Sequence, residues 1–278
     1  MQKPIVLIIL DGWGLAPPGP GNAISQAKLA NIPRYWLSYP HTQLVASGMK
    51  VGLPAGEDGN TETGHINIGA GRIVYQDLPR INMAITDGSY YKNDALLGAI
   101  SHATKHESAI HIFGLLSDSG VHASRDHLYA LLELFKREQC TRPVLLHLFT
   151  DGRDSPPNAG LRFMHEVQDR IADVHIGAIA SVMGRYYGMD RDHRWDRTEK
   201  AYRTLTEQTE LRAPSAVAAV EAAYAKGMTD EFIEPAFLAD EQKAPIGRIN
   251  ANDAIIFFNF REDSARELTR AFVDPAFD

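Results

Sequence analysis

The sequence predicts an α/β protein with a mainly parallel sheet flanked by helices. Two observations predict it. Five short apolar runs, at residues 5–10, 110–116, 144–149, 176–183 and 254–260, are continuous rather than alternating, as strands covered on both faces are. Segments of helical period lie between them, so strand and helix alternate along the chain. With 278 residues, 44% of them hydrophobic and 23% charged, the chain has the make-up of an ordinary globular protein with room for a sizeable core.

The elements follow in order. Run 5–10 reads as the opening strand; it is too short for a signal-peptide core, and no cleavage-like segment follows it. Residues 53–71, LPAGEDGNTETGHINIGAG, break the alternation. Their glycine and polar content suits either a functional loop or a surface connection. After the strand at 110–116 a helix is predicted over 124–138, where Leu128, Leu131, Leu132 and Phe135 fall at i, i+3, i+4 and i+7. Asn158, after Pro156 and Pro157, is placed to cap a further helix beyond the strand at 144–149. The strand at 176–183 precedes a helix over 215–226 that Gly227 stops. The strand at 254–260 comes last. No repeat at solenoid spacing and no low-complexity tract interrupts the series.

Composition removes several functions. A net charge of −7 argues against nucleic acid as a partner. No run reaches the roughly 18 apolar residues of a spanning helix, so no membrane segment is expected. Cys140 is the only cysteine, which rules out an internal disulfide and a cysteine metal site. A cytoplasmic setting is the expectation.

Chemistry-bearing residues gather just after the strands. Asp11 follows the first. Ser117, Asp118 and His122 follow the second; Asp151, Arg153 and Asp154 the third; Arg185 and Arg191 the fourth; Arg261 the fifth. Open α/β sheets bind ligands outside the carboxyl ends of their strands, so these groups are expected to share one crevice. The guanidinium forks of Arg153, Arg185, Arg191 and Arg261 match phosphate or carboxylate oxygens two at a time. Asp154 and His122 can move a proton or hold a hydroxyl. Asp11 is a hard oxygen ligand for a divalent cation. Thr61 sits among glycines, where backbone amides can approach an anion, and a metal-bound threonine alkoxide is a nucleophile for phosphoryl transfer.

Plainer readings stand beside these. Asp11-Gly12 equally opens a turn. His122 equally caps the helix near Ser124. Residues 151–154 equally form a salt-bridged turn, and the arginines concentrated over 185–197 equally form surface ion pairs. The repetition after successive strands favours an anion-handling α/β enzyme.

Longer motifs carry a family resemblance. IILDGWG at 8–14, GNA at 21–23, GNTETGH at 59–65, IGAGRIVYQDLPRIN at 68–82, LLSDSGVH at 115–122, DGRDSPP at 151–157, GRYYGMDRDHRWDR at 184–197 and FFNFREDSAR at 257–266 resemble the cofactor-independent phosphoglycerate mutases in order and spacing. That resemblance implies interconversion of 3-phosphoglycerate and 2-phosphoglycerate through a phosphoenzyme, without bisphosphoglycerate and with two divalent ions, usually Mn2+. It implies an alkaline-phosphatase-like metal domain of which residues 1–75 form the N-terminal segment. Residues 76–278 would be the inserted phosphotransferase, or substrate-binding, domain, C-terminally incomplete. Carried over by position, Asp11 is a metal ligand and Thr61 both nucleophile and metal ligand. His122, Arg153, Asp154, Arg185, Arg191 and Arg261 contact the glycerate.

Departures follow from the same resemblance. Thr61 stands where the family has serine, and Ser264 where it has a second arginine. Ser119 also replaces a glycine. The chain is about half the family's usual length, so the other metal ligands and a substrate-binding lysine are expected in a missing C-terminal half. Apolar surface around residues 5–10 is then expected to lie exposed. Two further readings remain: a catalytically silent module that keeps the anion crevice, and a metal-dependent phosphatase.

Overall fold

The structure is a computed structural model that describes residues 3–277 except residue 208. It divides into two compact units, Met1–Pro79 and Arg80–Asp278.

In the first unit the helices are α1 (Ala23–Gln26), α2 (Ile32–Ser38) and α3 (Thr61–Ala70). Residues 5–10 do not form the expected strand. They have no regular secondary structure and are exposed, from 99% at Ile5 to 43% at Ile9. The cause is the lack of a partner: among the described residues of this unit there is no other strand, and an apolar run becomes a strand only by pairing. The exposed apolar surface expected there is present.

The glycine-rich stretch is also more ordered than its composition suggests. Its second half is α3, which Asn60 starts by accepting the Thr63 N–H at 2.9 Å and Gly71 ends in the left-handed conformation. Asn67 ties the helix to its flanks, donating to the Val51 carbonyl and accepting the Val74 N–H, both at 2.8 Å.

The second unit holds the sheet. Its strands are β1 (Ile110–Leu116), β2 (Val144–Thr150), β3 (Ala178–Gly184), β4 (Arg212–Ala213), β5 (Ala236–Leu238) and β6 (Ala254–Phe257), in the order β4-β5-β3-β2-β1-β6. β6, β1, β2 and β3 run parallel, whereas β5 is antiparallel to β3. Every residue of β1 and β2 is buried, as their unbroken apolar runs require.

The helices α4 (Asp77–Asp87), α5 (Asp94–His106), α6 (Arg125–Arg137), α7 (Gly160–Val174), α8 (Arg185–Gly188), α9 (Trp195–Thr206), α10 (Ala216–Ala225) and α11 (Arg266–Val273) complete the order. Leu128, Leu131, Leu132 and Phe135 of α6 are buried in the main core with Phe113, Phe149 and Phe163. Ser124 caps α6, accepting the Asp126 N–H at 3.3 Å, and Ser215 caps α10. Asn158 does not cap α7. The N–H of Gly160 donates instead to the buried Asp230 carboxylate at 2.7 Å, a partner seventy residues away that no local pattern reveals.

A polar thread crosses this apolar sheet. Asp253 meets His111 Nε2 at 3.1 Å, His111 Nδ1 meets His147 Nε2 at 2.8 Å, and His147 Nδ1 meets Ser181 Oγ at 2.8 Å. Each link joins neighbouring elements of the sheet, so a one-residue slip would leave buried polar groups unpaired.

Candidate functional site

Four parallel strands end on one edge, where a cleft is lined by Arg153, Arg185, Arg191, Glu231 and Ser264, among others. Arg185 is its centre. It opens α8 directly after β3 and is 7% exposed. Its Nη1 donates to Asp151 Oδ1 at 2.7 Å and to Asp154 Oδ2 at 2.5 Å, while Nη2 donates to His122 Nε2 at 3.1 Å. Burial opposes the charge of Arg185, but its bonds to Asp154 and Asp151 outweigh that and raise its pKa.

Asp151 is the buried counter-charge. Burial pushes its carboxyl up, yet the Ser117 hydroxyl at 2.5 Å, the Asp154 N–H and Arg185 together hold it below the usual carboxylate range. Its Oδ1 also accepts the Arg153 and Asp154 N–H groups at 3.2 and 3.0 Å. Residues 151–154 are therefore both the turn and the ion-paired element that the sequence allowed.

His122 is not a helix cap; Ser124 has that role. Its carbonyl accepts the N–H groups of Phe260 and Arg261, which brings the segment after β6 beside it. Burial first, then Arg185 and Arg261, lower its pKa against the pull of Asp154 and Asp263. Nε2 accepts from Arg185, so Nδ1 carries the proton and donates to Ser264 Oγ at 2.9 Å.

Arg191 and Arg261 converge on a single carboxylate oxygen, Asp263 Oδ2, at 2.6 and 2.9 Å. Arg153 is the most exposed of the set and lies 3.8 Å from Glu231. Two glycines admit the 230–231 turn to this edge. A Cβ on Gly184 would lie 2.2 Å from the Glu231 carbonyl oxygen, and one on Gly152, whose φ is +66°, 2.7 Å from the Glu231 N.

The second unit thus gathers His122, Arg153, Asp154, Arg185, Arg191 and Arg261 on one edge. Of the arginines concentrated over 185–197, two serve as structural pairs: Arg194 binds Asp196 at 3.2 Å and Arg197 binds the buried Asp190 at 3.0 Å. Sequence reasoning left out Asp263 and Glu231. Asp263 lies two residues from Arg261, a spacing that signals little by itself, and Glu231 follows no long strand.

In the first unit Thr61 Oγ1 donates to Asp11 Oδ2 at 2.7 Å. Asp11 also stands in a turn, closed by the Trp13 N–H on the Leu10 carbonyl at 3.0 Å, and follows no strand. Thr61 is the first residue of α3, where free N–H groups favour an anion. Asp11 and Thr61 are hard oxygen donors, but among the described residues no group of three His, Cys, Asp or Glu could hold a metal ion. These donors do not form a complete site for the expected ions.

A family model described as the N-terminus of BPG-independent PGAM matches residues 81–278. The 2,3-bisphosphoglycerate-independent phosphoglycerate mutase of Moorella thermoacetica is 53% identical over all of this chain and 54% of its own length. That of Chloroflexus aggregans is 53% identical over 98% of this chain and 50% of its own. A crystal structure of Leishmania mexicana phosphoglycerate mutase at low cobalt concentration superposes with a TM-score of 0.75 at 31% identity, over 97% of this chain and 51% of that one. The chain spans about half the length of the curated relatives it matches.

Proposed function

The chain belongs to the 2,3-bisphosphoglycerate-independent phosphoglycerate mutase family, and from that premise we propose that its cleft binds 2- and 3-phosphoglycerate as part of the interconversion of the two. The observation that carries this reading is the convergence of Arg185, Arg191, Arg261 and His122 at the carboxyl edge of the sheet. Phosphoglycerate carries a phosphate and a carboxylate, and three guanidiniums supply paired donors for both. A neutral His122 and the Asp154 carboxylate suit the glycerate hydroxyls.

In the same proposal residues 1–75 are the N-terminal segment of an alkaline-phosphatase-like domain and residues 76–278 the substrate-binding domain. Thr61 is the phosphoryl acceptor, and its bond to Asp11 supports that role by orienting the hydroxyl. Asp11 and Thr61 are this chain's share of a Mn2+ site. Its remaining ligands would come from a missing C-terminal half, so no phosphoryl step is derived from these residues alone. That half would also supply strands to cover residues 5–10. Among the described residues no helix is long and apolar enough to cross a membrane, and a cytoplasmic, glycolytic or gluconeogenic role belongs to this proposal.

A silent binding module is the second reading, favoured by Thr61 and Ser264, which by the resemblance stand where the family has its serine nucleophile and a second arginine. A metal-dependent phosphatase is the third. One experiment separates all three: mix this chain with the separately expressed C-terminal half of the Moorella relative and Mn2+, and follow 3-phosphoglycerate. Formation of 2-phosphoglycerate, lost in Thr61→Ala and kept in Thr61→Ser, is the expected result. Release of free phosphate without isomerisation indicates a phosphatase, and no turnover by a demonstrably assembled mixture indicates the silent module.

A further inference from the structure

We infer that Glu267 holds a proton that it shares with Asp190, and that this carboxyl pair is a latch fixing the 191–194 loop and with it Arg191. The part of this inference that concerns ligand affinity rests on the phosphoglycerate reading; the latch itself does not.

The loop is gripped from two sides. Asp190 Oδ2 accepts the N–H groups of Asp192 at 3.2 Å and Arg194 at 2.9 Å, and its Oδ1 accepts from Arg197 Nη1 at 3.0 Å. Glu267, on α11, accepts the N–H between them, that of His193, at 3.1 Å on Oε1. Three consecutive backbone amides are thus held by two carboxyl groups. His193 has φ +57°, a left-handed conformation that is strained for a non-glycine residue and persists only where surrounding contacts impose it. Arg191 stands at the start of the gripped segment and lines the cleft.

The state of Glu267 follows from its surroundings. The residue is 5% exposed, and Oε2 is buried with no hydrogen-bond partner. Its carboxyl and that of Asp190 accept consecutive amides of one turn, those of residues 192–194, which sets the two groups side by side. Two buried carboxyl groups set side by side do not both ionise. A proton on Glu267 Oε2, donated to Asp190, gives the orphaned oxygen its bond and removes the repulsion. Asp190 already accepts from a guanidinium and two amides, which makes it the better carboxylate of the two.

The other charged groups near Glu267 are few. His193 Nδ1 lies 3.5 Å away from the loop side, and Arg197 of α9 approaches through Asp190. On its own helix Arg266 and Arg270 are occupied by Glu262 and Asp274. Burial, with Asp190 beside it, raises the Glu267 pKa against the bond from His193. The latch is therefore complete below that raised pKa and opens as pH rises through it.

The test is amide hydrogen exchange at His193 and Arg194 in this chain, from about pH 5 to about pH 9, the range in which buried glutamates titrate. Glu267→Gln keeps the shape and stays neutral; Glu267→Ala removes the latch. Protection in the wild type should fall about ten-fold across the range, the loss of one hydrogen bond. It should stay high and flat in Glu267→Gln and low throughout in Glu267→Ala, with circular dichroism confirming that each is folded. Loss of protection in Glu267→Gln equal to that in Glu267→Ala would overturn the latch, as would an unchanged pH dependence in Glu267→Gln. A parallel titration with 3-phosphoglycerate separates the two claims. If the wild type binds, Glu267→Ala should weaken affinity about ten-fold and Glu267→Gln restore it; unaltered affinity in Glu267→Ala denies the latch its role at the cleft. If the folded wild type binds nothing, the phosphoglycerate reading fails and the exchange profile alone decides the latch.

Discussion

Arg185 donates to Nε2 of His122 across 3.1 Å, and that contact sets the state of the imidazole: neutral, with its proton on Nδ1 and aimed at Ser264. A protonated His122 would present an N–H to a guanidinium N–H. The histidine therefore meets Arg185 and Ser264 as a hydrogen-bonding group and not as a cation.

Acid should weaken the fold before the carboxylates titrate. Burial lowers the pKa of His111, His122, His127 and His147, that of His127 to about 4. For a histidine depressed in the folded state, the unfolded chain binds the proton first. Stability is complete above the unfolded value of about 6.5 and falls as pH drops below it. His127 alone, between about 6.5 and about 4, accounts for ~3 kcal/mol. Urea midpoints should decline steadily below about pH 6.5, and replacing His127 with Gln should flatten part of that decline.

Removing the Arg185 guanidinium should be costly. Arg185→Met leaves the Asp151 carboxylate buried without its cation, which breaks a buried pair and costs about 3–5 kcal/mol. Denaturant unfolding measures the loss. The double change Arg185→Met with Asp151→Asn should recover much of it, because the orphaned charge goes too.

Gly184→Ala should disturb the cleft through the backbone. The added methyl meets the Glu231 carbonyl oxygen, which is backbone and cannot swing away. A loss of about 1–3 kcal/mol is expected, typical of overpacking. Gly64→Ala, with open space around the new methyl and a helical position, should be neutral or slightly stabilising.

Ser264 is 2% exposed and accepts the His122 Nδ1 proton. Ser264→Ala leaves that buried N–H without a partner, at a cost of about 1–3 kcal/mol. Ser264→Arg, which adds a guanidinium to the cleft lining, should tighten 3-phosphoglycerate binding once the side chain reaches the cleft. Calorimetry on both variants checks the pair of expectations, and unchanged affinity in Ser264→Arg counts against a missing guanidinium as the weak point.

Much of this architecture is legible from residues 110–260. Buried parallel strands announce themselves as unbroken apolar runs, and the four in the second unit carry His122, Asp151, Arg185 and Arg261 just past their ends. Run 5–10 looks the same in sequence and forms no strand, because pairing depends on partners that a local pattern does not contain. Helix α3 hid behind Gly64 and Gly69, although Asn60 and Gly71 mark its ends. The cap on α7 escaped because Asp230 reaches Gly160 through the fold. Asp263, which draws Arg191 and Arg261 together, escaped for the same reason: its worth depends on where an arginine 72 positions away comes to rest.

The central claim is that this cleft binds phosphoglycerate, and calorimetric titration of 3-phosphoglycerate into the chain, with and without Mn2+, tests it most directly. Arg261→Ala is the control, since Arg261 is half exposed and its loss leaves the core intact. Saturable binding that weakens at least ten-fold in Arg261→Ala, a charged hydrogen bond's worth, is the predicted result. A folded chain that takes up no 3-phosphoglycerate, or one that binds it equally well without Arg261, contradicts the account.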